Sequence, residues 1–255
     1  MLFLYNPTAG KGRVTADLAA VLDVFTKAGY LTTVYPTQGK ADATRIAAEL
    51  GGQFDRVVCS GGDGTLSETV SGLMQLDHPP VLGYIPFGST NDCATTLRLP
   101  RDPVKAAQTA SETGVPRPWD IGRLNGRPFV YVAAFGAFTE VSYDTPQDLK
   151  NTFGHLAYVM AGIASLPSIT PYHLRIECDD QVLEDDFFYG MVCNTISVGG
   201  MKALPTDRVV LDDGLFEVIL VRKPPASPTS LTASRPYPTG APPVRGRALL
   251  PRLPI

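Results

Sequence analysis

The chain has 255 residues, of which 44% are hydrophobic and 18% charged, and its net charge is −3. That length supports one large domain or two modest ones with ample core, and the composition is that of a soluble globular protein. The basic residues are scattered rather than clustered, which excludes the electrostatic footprint of a nucleic-acid-binding protein.

Leu2–Tyr5 reads as a short buried strand; the run is far too short for a signal peptide and has no basic lead. The polar turn Asn6–Gly12 follows, and Leu18, Val21, Leu22 and Phe25 then recur at helical spacing until Gly29 closes the helix. Leu31–Tyr35 predicts a second strand. Asp42 to Leu50 predicts a helix with Ile46, Ala47 and Leu50 on one face. Val57–Cys59 is a third strand, Leu66–Leu76 the next helix and Val81–Ile85 a fourth strand. This β-α-β-α-β-α-β order implies a mainly parallel sheet with helices on its faces.

Beyond Asp120 the pattern changes. Phe129–Ala134, His173–Cys178, Phe187–Asn194 and Phe216–Val221 read as strands, with one clear helix around Gly154–Leu166. Pro167 stops that apolar stretch well short of the roughly 20 residues that a membrane span needs. From Pro224 the chain holds nine prolines, four arginines and no Asp or Glu, a composition that predicts disorder. The expected organisation is an α/β N-terminal domain over residues 1–122, a β-rich antiparallel domain over 123–223, and a tail over 224–255. Four cysteines without a CxxC pair and three dispersed histidines exclude a disulfide framework and a zinc site, and fit a reducing cytoplasm.

The run Gly61-Gly62-Asp63-Gly64-Thr65 joins the third strand to the next helix. Glycines at such a junction expose backbone N–H groups, which favour phosphate. A carboxylate beside a phosphate is repulsive unless a cation lies between them, so Asp63 points to a Mg²⁺-nucleotide. The plainer alternative is a glycine turn with Asp63 capping the helix. Asn6–Gly12 is either a second phosphate-facing turn or an ordinary strand-to-helix connection; it does not satisfy the Walker A pattern. Both loops fall at carboxyl ends of strands, where parallel sheets bind ligands. Pro86–Asp92 ends the fourth strand with hydroxyl and amide groups suited to a nucleotide or a substrate hydroxyl, or simply to a turn capped by Ser89 or Thr90. Leu211-Asp212-Asp213-Gly214-Leu215 reads as an Asp-Gly hairpin turn or as hard-cation ligands helped by backbone carbonyls. Glu140 turns inward or lies on the surface.

Several motifs keep a fixed order over residues 1–223: NPTAGKG at Asn6–Gly12, GGDGTLSE at Gly61–Glu68, PFGSTND at Pro86–Asp92, WDIG at Trp119–Gly122, AFGAFTEVSYDTP at Ala134–Pro146 and LDDG at Leu211–Gly214. The ordered set resembles the bacterial diacylglycerol kinases and related lipid kinases, in the superfamily shared with NAD kinase and sphingosine kinase. The resemblance implies an NAD kinase-like fold and ATP and Mg²⁺ as cofactors. Asn6, Pro7, Thr8, Ala9, Gly10 and Thr37 would hold phosphates and ribose, with Gly62, Asp63, Gly64, Thr65, Leu66, Ser67 and Glu68. Ser89 would join them, standing where the family usually has Thr; Ser67 stands where Asn is common. Asp63 would act through water and Mg²⁺. The Asp213 side chain with the carbonyls of Val210 and Leu215 would form a second, structural Mg²⁺ site.

The family's general base is a glutamate late in the second domain, and no acidic residue follows Lys223 here. The abrupt change of composition reads as a reading-frame change or a truncated gene product. Loss of a general base typically costs about 10²–10⁴-fold in rate. The expectation is a cytoplasmic lipid kinase in peripheral contact with the membrane, acting on a lipid substrate such as diacylglycerol, impaired or inactive, and associating as a homodimer if its second domain is incomplete. The rivals are an NAD kinase-like enzyme and a silent nucleotide-binding module.

Overall fold

The computed structural model describes residues 1–136, 170–178, 181–202, 204, 206, 209–222, 244–247 and 252–254. The first part runs β1 (Leu2–Tyr5), α1 (Arg13–Lys27), β2 (Thr33–Pro36), α2 (Asp42–Leu50), β3 (Arg56–Gly61), α3 (Asp63–Leu73), β4 (Val81–Pro86), α4 (Asp92–Leu97) and α5 (Pro103–Gln108). Its four strands pair in the order β2-β1-β3-β4, all parallel.

Period-two alternation explains the layers. Leu2, Leu4, Val57, Cys59, Leu82 and Tyr84 pack with Ile46 of α2 and with Leu66, Val70 and Leu73 of α3. Phe3, Val58 and Ile85 pack on the opposite face with Val14, Val21 and Phe25 of α1 and Ala106 of α5. With both faces covered, the strands carry unbroken apolar runs. Helix α3 starts at Asp63, earlier than the apolar period suggests, because Gly62 is the extended cap and Asp63 and Gly64 contribute no apolar side chain to the pattern.

The second part runs β5 (Pro118–Asp120), β6 (Gly122–Leu124), β7 (Arg127–Phe129), β8 (Val132–Gly136), β9 (Tyr172–Cys178), β10 (Gln181–Cys193), β11 (Ser197–Val198), β12 (Met201–Lys202), β13 (Leu215–Arg222), β14 (Val244–Arg247) and β15 (Arg252–Pro254). Strand β10 is the spine of an antiparallel sheet. Its first half pairs with β9 and its second half with β8 and β13, across a register shift between Phe187 and Tyr189. It begins at Gln181 rather than Phe187. The acidic run Glu184–Asp186 has no strand-like alternation, yet pairing with β9 sets His173 Nδ1 3.0 Å from Asp186 Oδ1. Trp119, Ile121 and Val130 join the core of the first domain, so the chain just past residue 122 still packs there.

Two segments of the tail are among the described residues, and both are strands. β14 pairs with β13, and β15 pairs with β5. Strand edges offer unpaired N–H and C=O groups to any backbone, whatever its side chains, which composition cannot register. The rest of the tail, the helix expected at 154–166 and Glu140 lie outside the described residues.

Helices α2 and α3 meet at Gly72, where an added Cβ would stand 2.3 Å from the Thr44 carbonyl oxygen and 2.7 Å from Ala47 Cβ. Backbone cannot yield as a side-chain tip can. Gly72→Ala therefore costs about 1–3 kcal/mol in urea unfolding, whereas Gly39→Ala, whose Cβ meets nothing within 4 Å, stays near neutral.

Candidate active site

Three loops leave the carboxyl ends of β1, β3 and β4 side by side. The parallel pairing carries on past the strands: Asn6 N–H donates to the Ser60 carbonyl (2.9 Å) and Phe87 N–H to the Gly61 carbonyl (2.7 Å). Side chains then set each turn. Asn6 Oδ1 accepts from Thr8 N–H (3.0 Å) and from the Thr8 hydroxyl (2.8 Å). Asn91 Oδ1 accepts from Gly88 N–H (2.7 Å), and its amide donates to the Gly88 carbonyl (2.8 Å). The buried Tyr84 hydroxyl donates to the Gly61 carbonyl at 3.1 Å. Burial, then the nearby Asp63 charge, pushes its phenol far up, so it stays a donor.

Glycine makes the loops fit. A Cβ on Gly88 would come within 2.6 Å of the Gly62 Cα and 2.7 Å of Asn91 Oδ1. A Cβ on Gly10 would sit 3.1 Å from the Phe87 carbonyl oxygen, and one on Gly61 would strike the Thr65 hydroxyl at 2.4 Å. By contrast, Gly64 faces open space at the start of α3. The first helical donor is Leu66 N–H, bonded to the Gly62 carbonyl at 3.1 Å. The amides of Asp63, Gly64 and Thr65 therefore have no acceptor within the helix, the arrangement at a helix start that favours an anion. This donor set fits a nucleotide's phosphates.

The expected site residues divide accordingly. Asn6 to Gly10, Gly62 to Thr65 and Ser89, which is exposed, lie on or beside the three loops that leave β1, β3 and β4. Thr37 borders them, its N–H donating to the Tyr5 carbonyl at 2.9 Å. Leu66 points away; its side chain is fully buried in the core and its amide is already used. Ser67 follows one turn into α3, where its carbonyl accepts from the Ser71 hydroxyl. Glu68 Oε1 accepts from Ala41 N–H (2.9 Å), at the end of the loop that follows Thr37.

Asp63 does not cap its own helix. Its carboxylate reaches across to accept from the Thr90 hydroxyl, Asp92 N–H and Cys93 N–H, each at 3.1 Å. It thus caps α4 from a distance. Asp92 is the residue that sequence reasoning missed, although it closes the PFGSTND motif. Its carboxylate is 1% exposed and accepts from the Ser197 hydroxyl (2.6 Å), Gly199 N–H (2.8 Å) and Gly200 N–H (2.9 Å). Burial pushes the Asp92 carboxyl up, the Ser197 and glycine donors pull it back, and the Asp63 charge adds to the rise. Cys59 and Cys193 are pushed up to about 12, chiefly by burial, which rules them out as nucleophiles near neutral pH.

The expected structural cation site lies elsewhere, on the turn before β13. Asp213 Oδ1 accepts from Leu215 N–H at 3.0 Å, while Asp120 accepts from Gly214 N–H. Asn194 Nδ2 donates to the Leu211 carbonyl (3.0 Å), tying this turn to β10. Among the described residues no group of three or more His, Cys, Asp or Glu gathers around a point. A set of one carboxylate and two carbonyls is of another kind, and its hard oxygen donors suit Mg²⁺.

Comparison with known proteins agrees with this geometry. The family model of the diacylglycerol kinase catalytic domain matches residues 1–124, and that of the YegS C-terminal NAD kinase beta sandwich-like domain matches residues 134–233. A diacylglycerol kinase of Bacillus subtilis (strain 168) is 41% identical over 221 residues, covering 86% of this chain and 73% of that protein. One from Staphylococcus saprophyticus is 39% identical over 221 residues, covering 86% and 72%. The crystal structure of a diacylglycerol kinase from Bacillus anthracis str. Sterne superposes with a TM-score of 0.71 at 28% identity, covering 87% of this chain and 73% of that one. Two layers of helix on a parallel sheet, followed by an antiparallel sheet, define the class of fold. The chain belongs to the diacylglycerol kinase family, a family of lipid kinases.

Gly88→Ala forces the Gly62 and Gly88 loops apart at the mouth. Misplacement of this kind by an ångström costs on the order of 10²-fold in rate. A fall of that size in kcat/KM for phosphate transfer, with an unchanged circular dichroism spectrum, is the expected result.

Proposed function

We propose that this chain transfers the γ-phosphate of ATP to a lipid hydroxyl, with diacylglycerol as acceptor and phosphatidic acid as product. The observation that carries this reading is the tight junction of Gly62 against Gly88 at the start of α3, where the amides of residues 63–65 have no acceptor within the helix. Those amides would hold phosphate oxygens, with the Asn6–Gly10 turn, Thr37 and the Ser89 hydroxyl along the rest of the nucleotide. Mg²⁺, when bound, would neutralise phosphate charge; Asp63 would face it through water. The Asp63 charge already raises its neighbour Asp92, so a cation there relieves repulsion as well. The chain's own contribution is then positioning and electrostatic stabilisation, the main levers in phosphoryl transfer.

No Asp or Glu stands among residues 218–255, so we propose that this stretch does not supply the general base that the resemblance implies. On this reading transfer is slower by about 10²–10⁴-fold than with a general base in place. The same observation favours a second reading, a nucleotide-binding module without turnover. No helix among the described residues is long and apolar enough to cross a membrane. A cytoplasmic protein that meets its lipid at the membrane surface, as a monomer or a homodimer, is the setting this proposal assumes.

Phosphate transfer from labelled ATP to diacylglycerol in mixed micelles tests it. Slow transfer that Asp63→Ala lowers by a further 10²-fold or so is expected. Binding of Mg-ATP without transfer supports the silent module, and phosphorylation of NAD in place of lipid overturns the lipid assignment.

The cation site has its own test. Mg²⁺ at about a hundredfold excess over Kd raises stability by about 2.7 kcal/mol if it binds the folded chain alone. Thermal melts with and without chelator should show that gain in the wild type and lose it in Asp213→Ala.

A further inference from the structure

Helix α4 is gripped from two directions. The Asp63 loop takes its first two amides, those of Asp92 and Cys93. The Asp92 side chain, from the same turn, takes three donors from the segment between β10 and β12. Gly199 and Gly200 have φ of 63° and 78°, a left-handed pair that aims successive amides at a single carboxylate. One turn further on, the Thr96 hydroxyl lies 2.6 Å from the Thr195 hydroxyl and accepts from Ile196 N–H at 3.3 Å. A Cβ on Gly200 would also press within 3.3 Å of Thr90 Cγ2, beside the residue that donates to Asp63.

Nothing in this arrangement is slack. Asp92 and Ser197 are both buried, so a lost donor cannot be replaced by water without opening the junction. A shift of the Asp63 loop moves α4 by its amides, and α4 moves segment 195–200 by the Asp92 carboxylate.

We propose that Ser197 is a positioning residue: through Asp92 and α4 it fixes where the second domain stands against the Asp63 loop, and so where the acceptor meets the phosphate. The kinetic consequence rests on the lipid-kinase reading above; the mechanical coupling does not.

Hydrogen exchange of the ligand-free protein tests the coupling directly. Asp63→Ala removes acceptors from the Asp92 and Cys93 amides and the Thr90 hydroxyl, none of them in the second domain, yet exchange at Gly199 and Gly200 should quicken about tenfold as well. Ser197→Ala removes a donor from the Asp92 carboxylate only, yet exchange at the Asp92 and Cys93 amides should quicken in return, since coupling is reciprocal. Changes confined to each variant's own partners overturn the proposal, and they would do so even in a chain that transfers no phosphate. Where transfer is measurable, Ser197→Ala should lower kcat about tenfold with Mg-ATP affinity unchanged. The double variant with Asp92→Asn should be no slower than Asp92→Asn alone. A lower melting temperature with kcat intact marks a purely structural contact and overturns the positioning role. Binding of Mg-ATP without any transfer by the wild type defeats the kinase reading alone, leaving the exchange experiment to decide this one.

Discussion

The hydrogen-bond ladder of the parallel sheet runs one residue beyond β1 and β4, on either side of the last residues of β3, and the candidate site hangs from that extension. Asn6 N–H is tied to Ser60 and Phe87 N–H to Gly61 before either neighbouring chain is free to turn. The loops after β1, β3 and β4 therefore leave the sheet in register, which is why small residues must fill the places where they touch. Each bond is worth only about 1 kcal/mol net. Their effect comes from geometry: with the exits fixed, a Cβ on Gly88 would stand 2.6 Å from the Gly62 Cα, and Gly10 and Gly62 face backbone atoms at tight distances of 3.1 and 3.2 Å.

Charge is handled differently on the two sides of α4. Asp63 is half-buried and spreads its charge over three donors on the following loop and helix. Asp92 is sealed from water, and its three donors come from the second domain. A buried carboxylate loses several kcal/mol of hydration, and hydrogen bonds to charged groups return about 1.5–3 kcal/mol each. Desolvation remains the largest influence on Asp92, so its three donors are a condition of its burial rather than a surplus. The contact between the domains is thus specified by an electrostatic requirement, where apolar packing alone would allow sliding.

The second domain follows from a single long strand. The register of β10 against β13 shifts between Phe187 and Tyr189; residues up to Phe187 pair with β9, and those from Tyr189 on pair with β8 and β13. Only the latter part is apolar enough to read as a strand in isolation. The acidic part is held by its partner, with His173 and Arg175 facing Asp186 and Glu184 across the ladder. β14 and β15 show the same effect more sharply, since backbone pairing places them where composition offers no reason for a strand.

Local signals were enough for the alternation of β1 to β4 with α1 to α3, because period-two and period-3.6 patterns are written in neighbouring residues. The glycine-bearing runs likewise marked the turns that follow β1, β3 and β4, since the close approach of one loop to another restricts residue type there. What the sequence could not disclose depends on residues far apart in the chain. It placed Leu66 among the ligand-facing residues although the sheet buries it, and it left Asp92 without a role although that carboxylate joins the domains. Burial, and the partner that makes burial tolerable, are properties of the packed chain: Ser197 and Asp92 acquire their meaning only once α4 lies against the loop after β10.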